Sequence, residues 1–302
     1  MLASIIIRTY NEERYLSELL QAISNQKSER VEREVVIVDS GSTDATLKIA
    51  ELHQCRVTHI KKSEFTFGTS LNVGCDFADG DVLVFISGHC IPASDSWLDE
   101  LCKPIVNRLV DYAYGRQVGR DTTKYSEGRH FDKWFPEYSK IPQEGFFCNN
   151  ANAAVTRMAW EVFKFNEELT GLEDMHLAKS LVEVGKKVGY VASAPVFHIH
   201  DESWKQVKIR YEREAYALQR IMPEVHFSFL DFVSYFISGI VADSVAAKQH
   251  KVFLSKIGEI CLFRFNQYWG TYCGNQEHRK LSIKMKRQYF YPLDTQRDSD
   301  HE

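Results

Sequence analysis

Short apolar segments alternate with amphipathic segments along the first ninety residues. Four of the apolar segments are rich in β-branched residues, which is typical of buried strands. They are residues 4–8, 34–40, 56–60 and 82–87. Apolar positions recur at helical spacing in residues 12–26 and 44–54, which follow the first two strands. The alternation predicts an α/β fold of Rossmann-like type, with a mostly parallel sheet flanked by helices.

The pattern changes in the second half of the chain. We expect strands at residues 112–119, 152–157 and 187–192, helices at 157–164 and 173–184, and a long, mobile loop at 120–145. After Trp204 the periodicity is helical to about Tyr272. The predicted organisation is therefore a catalytic domain over residues 1–203, a helical C-terminal region over 204–275 and a charged tail over 276–302.

Charge and cysteine usage narrow the class of protein. Lys and Arg total 37 against 41 Asp and Glu, a net charge of −4, which provides no general attraction to nucleic acid. The seven cysteines are scattered without a C-x-x-C pair, as expected for reduced thiols. The apolar stretch at the N-terminus is too short for a signal peptide. We therefore expect a cytoplasmic protein without a nucleic-acid partner.

Polar residues follow three of the predicted strands. Thr9, Asn11 and Glu12 end the first, Asp39 ends the second, and His89 follows the fourth. The carboxyl ends of parallel strands share one edge of a sheet, where open α/β sheets bind ligands. Neither G-x-G-x-x-G nor a P-loop motif is present. Asp39 is the best candidate to accept a hydrogen bond from a nucleotide base or ribose.

Four segments together resemble the motifs of family 2 glycosyltransferases, which have the GT-A fold. The segments are SIIIRTYNEERYLSELLQAI, EVVIVDSGSTDATLKIA, GDVLVFISGHCIP and GLEDMHLAKSL. The resemblance covers roughly residues 3–200. The pattern is most similar to bacterial enzymes of surface-polysaccharide assembly, such as capsule and O-antigen synthesis, including enzymes described as rhamnosyltransferases.

The resemblance implies a nucleotide-sugar donor, with Thr9, Glu12 and Asp39 at the base and ribose. Gly68 and Asn72 lie where the family brings a loop close to the donor, although Leu71 replaces a common arginine. Ser42 also suits a helix N-cap, and Asn150 also suits a turn. The residues predicted to bind the donor are Thr9, Asn11, Glu12, Asp39, Ser42, Gly68, Asn72, Ser87, Gly88 and Asn150.

Ser87 and His89 replace the two acids of the family's usual Asp-x-Asp motif, which binds a divalent ion bridging the donor phosphates. Mn²⁺ accepts imidazole ligands, whereas Mg²⁺ prefers oxygen. Family members often supply a second histidine late in the domain, and His198 matches that position. We expect a divalent metal, Mn²⁺ or Mg²⁺, held partly by His89 and His198. Two alternatives are that His89 donates directly to phosphate or has only structural hydrogen bonds.

The acidic pair Glu173–Asp174 opens a predicted amphipathic helix. Acids at this position stabilise a helix through its dipole, which is a sufficient structural reason for a generic pair. The match to the family's Glu-Asp motif implies instead that one of them is the catalytic base. We expect Asp174 to remove the proton of the acceptor hydroxyl, with Glu173 as second choice.

Apolar and basic segments in the C-terminal third suggest contact with an anionic membrane surface. The apolar residues 232–242, between Asp231 and Asp243, are shorter than the roughly 20 residues of a membrane-spanning helix. We therefore expect a peripheral protein at the inner face of the cytoplasmic membrane. The alternative is a helical appendage packed on the catalytic domain or on a partner chain.

These observations predict an inverting glycosyltransferase of the hexosyltransferase type. Its donor is a UDP- or dTDP-sugar, and its acceptor is a hydroxyl of a bacterial surface glycan, which we expect to be lipid-linked. The alternative of another class is a non-catalytic nucleotide-sugar-binding protein with a degenerate metal motif. A nucleotidyltransferase that makes activated sugars is a third interpretation.

Overall fold

The computed structural model describes residues 1–276 and 283–291, without the side chains of residues 283, 284 and 287. The chain forms two compact units. The first comprises Met1–Asp121, Phe131–Glu168 and Glu173–Ile199. The second comprises Thr122–His130, Leu169–Leu172 and the described residues from His200 onward. The domain boundary at residue 203 stays a prediction, and the structure assigns two short earlier segments to the second unit.

The first unit contains an eight-stranded sheet in the order β3-β2-β1-β4-β7-β6-β8-β5. The strands are β1 (Leu2–Thr9), β2 (Glu32–Asp39), β3 (Arg56–His59), β4 (Val82–Ile86), β5 (Cys90–Pro92), β6 (Tyr112–Val118), β7 (Asn152–Thr156) and β8 (Val188–His198). Pairings β1–β2, β2–β3, β1–β4 and β6–β8 are parallel. Pairings β4–β7, β6–β7 and β5–β8 are antiparallel. The predicted α/β fold with a mostly parallel sheet is confirmed.

Alternate residues of each strand face opposite sides of the sheet, and helices cover the apolar side chains on both sides. Ile5 and Ile7 belong to one buried cluster with Leu16 and Leu20 of a helix, whereas Ile6 belongs to a second cluster. The helices up to residue 183 are α1 (Glu13–Ser24), α2 (Thr46–Leu52), α3 (Phe67–Phe77), α4 (Trp97–Val106), α5 (Tyr125–Trp134), α6 (Arg157–Phe163) and α7 (Glu173–Glu183). Burial on both faces explains why the central strands are apolar throughout.

Three local predictions were wrong. Residues 120–145 are not one loop, because α5 lies within them. The segment FGTSLNVG is the start of α3, not a loop, and Thr66 caps this helix by accepting a hydrogen bond from the Thr69 N–H at 2.9 Å. The last strand extends to His198, six residues beyond the predicted end. Glycine and polar residues interrupt the apolar periodicity of α3, α5 and the last residues of β8. These elements were therefore not predicted.

The described part of the second unit contains four more helices: α8 (Trp204–Ile221), α9 (Phe229–Gln249), α10 (Phe253–Gln276) and α11 (Ile283–Phe290). The helix α11 lies in the segment predicted as a charged tail, most of which is outside the described residues. Arg264 of α10 donates to both carboxylate oxygens of Asp243 on α9, at 2.7 and 2.9 Å. This buried bidentate pair fixes the two helices against each other.

The apolar segment of α9 is longer than the sequence pattern indicates. The helix has 21 residues, and by length and composition it is the one described helix that could cross a membrane. Only 17% of its most apolar 18-residue window is buried within the protein. The prediction that this segment is too short to span was therefore wrong, since the helix continues through both flanking aspartates. Length and composition alone are weak evidence for a membrane span.

Candidate active site

The ends of β1 and β2 bring Thr9 and Asp39 together. These residues are partners in the parallel register, and Thr9 Oγ1 donates to Asp39 Oδ1 at 3.1 Å. Three further donors surround the same carboxylate: Ser42 Oγ at 2.5 Å, the Gly41 N–H at 2.9 Å and the Ser42 N–H at 3.0 Å. A carboxylate has about four acceptor sites. The chain itself therefore occupies Asp39, which closes the turn after β2.

The loops after β1 and β2 are also joined directly. The Asn11 N–H donates to Ser42 Oγ at 2.9 Å, and Asn11 Oδ1 accepts from the Thr43 N–H at 2.9 Å. The Glu12 N–H donates to Thr46 Oγ1 at 2.8 Å. Asn11 has a positive φ of 55°, a conformation that asparagine tolerates better than most residues. These bonds hold the predicted nucleotide-binding residues in one rigid edge.

Glu12 lies against the segment that replaces the Asp-x-Asp motif. A Cβ atom at Gly88 would lie 3.0 Å from Glu12 Cγ, so glycine permits this close approach. Glu12 Oε1 lies 3.5 Å from His89 Nδ1. The Cys90 N–H donates to the Ser87 carbonyl at 2.9 Å and closes the turn after β4. A carboxylate from another loop thus stands beside the position where the motif lacks its own.

The pairing of β5 with β8 brings His198 next to His89. Cys90 is opposite His198 in the antiparallel register, and the Ile199 N–H donates to the His89 carbonyl at 3.2 Å. The two imidazole rings stack with centroids 5.3 Å apart and an interplanar angle of 22°. A ring nitrogen of one lies within 4.8 Å of a ring nitrogen of the other. The two predicted metal ligands are therefore neighbours within the first unit.

Gly68 and Asn72 of α3 pack against residues 165–167 of the same unit. A Cβ atom at Gly68 would lie 2.2 Å from the Asn166 carbonyl oxygen, so a larger residue cannot fit there. The buried Asn72 amide donates to the Phe165 carbonyl and Glu167 Oε1, and its oxygen accepts from Trp160 Nε1 and the Phe165 N–H. These contacts give both residues a packing role. Their predicted approach to the donor stays a prediction.

Asp174 is buried at the start of α7. Its Oδ2 accepts from the Asn150 N–H and its Oδ1 from the Met175 N–H, both at 2.7 Å. Burial and the adjacent Glu173 carboxylate raise the pKa of Asp174 to about 7, although both hydrogen bonds act in the opposite direction. Glu173 Oε1 forms an ion pair with Arg8 Nη1 at 3.4 Å. The two acids therefore have different environments.

The side chain of Asn150 has an incomplete set of hydrogen bonds. Its Oδ1 accepts from Tyr112 Oη at 2.5 Å, whereas its buried Nδ2 has no partner among the described residues. Rotating the amide would exchange the two atoms and leave the oxygen unpaired instead. An unpaired buried polar atom costs about 1–3 kcal/mol, and a ligand atom would remove that cost. The predicted contact of Asn150 with the donor stays a prediction.

Three residues of the site did not emerge from the sequence. Arg8 is paired with Glu173, Tyr112 is bonded to Asn150, and Gln117 Oε1 lies 2.6 Å from His198 Nδ1. Each lies in a strand whose apolar neighbours made it resemble an ordinary core segment. The only local signal was a charged, phenolic or amide side chain within a mostly buried strand.

The arrangement combines groups suited to transfer chemistry. A carboxyl group with a pKa of about 7 can accept a proton near neutral pH. Two adjacent imidazoles can hold a divalent ion or donate to phosphate oxygens. The loops after β1 and β2 form a polar edge where open α/β sheets bind ligands.

Comparisons with known proteins identify the family and the fold. Residues 4–163 match the model of glycosyl transferase family 2. The chain is 27% identical to the O-antigen chain rhamnosyltransferase RfbN of Salmonella typhimurium over 223 residues, which are 70% of each protein.

Two solved structures share the fold. A mannosyltransferase from Pyrobaculum calidifontis, in complex with GDP-Man and Mn²⁺, aligns with a TM-score of 0.61 at 18% identity over 96% of this chain and 87% of its own. Residues 1–349 of Staphylococcus aureus TarS, in complex with UDP, align with a TM-score of 0.53 at 18% identity over 94% of this chain and 95% of that structure. With the family model matching more than half of the chain, the protein belongs to glycosyl transferase family 2 and has the GT-A fold.

Proposed function

We propose that the protein transfers a sugar from a UDP- or dTDP-sugar to a hydroxyl of a bacterial surface glycan, with inversion at the anomeric carbon. The observation that carries this proposal is the buried Asp174, whose pKa is raised to about 7 while two backbone N–H groups fix its orientation. A general base works best when its pKa lies near the operating pH. Among the described residues of the first unit, Asp174 combines this property with a neighbouring unpaired amide.

In the proposed step, Asp174 takes the proton of the acceptor hydroxyl as the hydroxyl oxygen attacks the anomeric carbon. The bond from that carbon to the diphosphate oxygen breaks, and the nucleoside diphosphate leaves with the electron pair. Attack from the opposite face inverts the anomeric configuration. Glu173 acts through its charge, which helps to raise the pKa of Asp174, while Asn150 Nδ2 offers a hydrogen bond to a substrate oxygen.

The joined loops after β1 and β2 are the proposed site of the nucleotide. Thr9, Asn11 and Ser42 lie with Asp39 in one hydrogen-bonded group. Because the carboxylate of Asp39 already accepts four hydrogen bonds, we assign it chiefly to the shape of this loop. The shared fold with TarS, which was solved in complex with UDP, supports a nucleotide as the ligand.

The residues present fit a divalent metal. His89 and His198 place ring nitrogens within 4.8 Å of each other, and the Glu12 carboxylate stands beside His89. Imidazole ligands suit Mn²⁺ better than Mg²⁺. When bound there, the ion supplies positive charge to the leaving diphosphate. The Mn²⁺ in the structure of the Pyrobaculum mannosyltransferase supports this assignment.

We propose a lipid-linked glycan acceptor and a location at the inner face of the cytoplasmic membrane. The similarity to an O-antigen chain rhamnosyltransferase supports the acceptor class. The exposed apolar side chains of α9 support the location, because an apolar helix face stabilises binding to a lipid surface. Those more than half exposed are Phe229, Leu230, Tyr235, Ile237, Val241 and Val245.

Incubation of the protein with dTDP-rhamnose and a panel of UDP-sugars, with an oligosaccharide acceptor and Mn²⁺, tests the proposal. A transferase releases nucleoside diphosphate and elongates the acceptor, and NMR of the product reports the anomeric configuration. Binding of donor without release would favour the non-catalytic alternative. Release of pyrophosphate would favour a nucleotidyltransferase, and retention of configuration would contradict direct displacement.

A further inference from the structure

A hydrogen-bonded series behind His198, formed by one backbone N–H and the side chains of Asn149 and Gln117, determines which ring nitrogen of His198 carries a proton. The first hydrogen bond of the series is from the Ala151 N–H, which donates to Asn149 Oδ1 at 3.0 Å. Since a backbone N–H can only donate, the atom facing it must be the amide oxygen of Asn149. The orientation of the Asn149 amide is thereby fixed.

The same oxygen determines the orientation of Gln117. Gln117 Nε2 donates to Asn149 Oδ1 at 3.0 Å, and the opposite assignment would place two amide oxygens against each other. The amide oxygen of Gln117 therefore faces His198, and Gln117 Oε1 lies 2.6 Å from His198 Nδ1. Because Gln117 is buried at 2% exposure, water does not replace these contacts easily.

An amide oxygen can only accept, so Nδ1 of His198 must carry a proton and donate it to Gln117. In the neutral ring the lone pair is then on Nε2. A ligating histidine commonly has its other ring nitrogen bonded to an acceptor oxygen in this way. The Glu12 carboxylate likewise lies beside Nδ1 of His89, with 3.5 Å between Oε1 and Nδ1.

We propose that Gln117, oriented by Asn149, is a positioning residue that holds His198 as its Nδ1-protonated tautomer and so presents Nε2 as a metal ligand. This inference rests on the metal use proposed above. It assigns a role to a residue that would otherwise be a buried amide in the core of β6.

The tautomer is measured directly by NMR of ¹⁵N-histidine-labelled full-length protein without metal, with the His198 signals identified from a His198→Gln sample. We expect a protonated Nδ1 and an unprotonated Nε2 in the wild type. In Gln117→Met, which keeps the length of the side chain but removes the acceptor, we expect substantial conversion to the Nε2-protonated form. A wild-type ring protonated on Nε2, or a ring unchanged in Gln117→Met, would overturn the inference.

Metal affinity provides the second readout, measured as Mn²⁺ binding by electron paramagnetic resonance in the presence of UDP. We expect Gln117→Met to weaken binding about 10- to 100-fold, the usual cost of losing such a partner. Gln117→Glu keeps an acceptor for His198 and should bind Mn²⁺ more tightly than Gln117→Met. Thermal unfolding of each variant checks that the fold is retained.

The two proposals fail in different ways. Equal Mn²⁺ affinity of the wild type and Gln117→Met would overturn only the role of Gln117. If the wild type binds no Mn²⁺ with UDP present, both the metal-presenting role and the proposed metal use are overturned, whatever the tautomer of His198. Failure of sugar transfer with normal Mn²⁺ binding would overturn the proposed function alone.

Discussion

The backbone N–H of Asn150 donates to Oδ2 of Asp174 across 2.7 Å, and the side-chain nitrogen of the same asparagine is buried without a partner. One residue therefore orients the proposed base through its backbone, and its side-chain nitrogen is the group that we propose to meet a substrate oxygen. Asn150 precedes β7 and Asp174 begins α7, so the contact joins segments that are distant in the sequence. The predictions below follow from this arrangement and from the edge formed by β1 and β2.

The pH dependence of turnover should report the raised pKa of Asp174. Turnover requires the ionised carboxylate, so kcat should rise about tenfold per pH unit at low pH and level off above about 7. Glu173→Gln removes the charge that contributes to the raised pKa, and the rise should move to lower pH. Measurement of kcat at saturating donor from about pH 5 to 9 checks both expectations. An unchanged profile in Glu173→Gln would contradict the electrostatic role of Glu173.

The same pKa predicts a change in stability. The folded-state pKa of Asp174 lies above its unfolded value of about 3.9, so the folded protein binds more protons between these pH values. The contribution of Asp174 to the free energy of unfolding should therefore be full below about pH 4 and be lost as pH rises through about 7. Urea unfolding of the wild type and Asp174→Asn should differ in slope over this interval. Parallel pH profiles would show that burial does not raise the pKa.

Removal of Asp39 should weaken nucleotide binding and destabilise the turn after β2. We expect Asp39→Ala to lower Tm and to weaken UDP or dTDP binding indirectly, because the turn after β2 loses four hydrogen bonds to a charged group, a type of bond that contributes about 1.5–3 kcal/mol. Because Ser42→Ala removes only the hydroxyl, one of the four donor groups around Asp39, it should weaken binding less. Isothermal titration calorimetry with UDP and with dTDP measures the affinities of the two variants and of the wild type. Unchanged affinity in Asp39→Ala would remove the residue from the nucleotide site.

Turnover should depend on a divalent metal held through His89. We expect greater stimulation by Mn²⁺ than by Mg²⁺, because imidazole ligands favour the softer ion. His89→Ala should abolish the stimulation, whereas the same substitution of the exposed His226 should not change it. Titration of metal into EDTA-treated enzyme provides the measurement. Full activity in excess EDTA would exclude metal use and favour direct donation from His89 to phosphate.

The exposed face of α9 should bind anionic membranes. The protein should sediment with anionic vesicles at low salt and be partly released at 1 M salt, where the screening length falls to about 3 Å. Ile237→Glu with Val241→Glu should abolish sedimentation, whereas Met158→Glu, on an exposed position of the first unit, should not. The cations expected to contact anionic lipid are Arg279, Lys280, Lys284, Lys286 and Arg287, of which the structure describes only the side chain of Lys286. Equal binding to neutral and anionic vesicles would contradict a role for these cations in binding. No binding to either kind of vesicle would favour a protein partner for α9.

Much of the fold could be predicted because its signals are local. The runs that form β1, β2 and β4 are apolar, and each ends at polar residues that share one edge of the sheet. The helix α3 could not be recognised, because Gly68 and Gly74 weaken its periodicity while tertiary contacts stabilise it. Both glycines allow close packing that no local pattern reveals.

Candidate site residues could be named from the sequence, but their contacts with one another could not. The resemblance identified His89 and His198, yet their stacking depends on the antiparallel register of β5 and β8, which places Cys90 opposite His198. Gln117 was missed because its function depends on two partners from other segments. Asp39 emerged as a ligand-binding candidate, whereas its four internal donors could be found only in the folded structure.

The most direct test of the account compares Asp174→Asn with Glu173→Gln in a single assay of nucleoside diphosphate release, with donor affinity measured alongside. Asp174→Asn should reduce kcat by about 10²-fold or more while donor binding changes little, since the carboxylate acts on the acceptor proton. Glu173→Gln should retain most of the turnover at high pH. Near-normal turnover in Asp174→Asn together with an inactive Glu173→Gln would contradict the account and exchange the roles of the two acids.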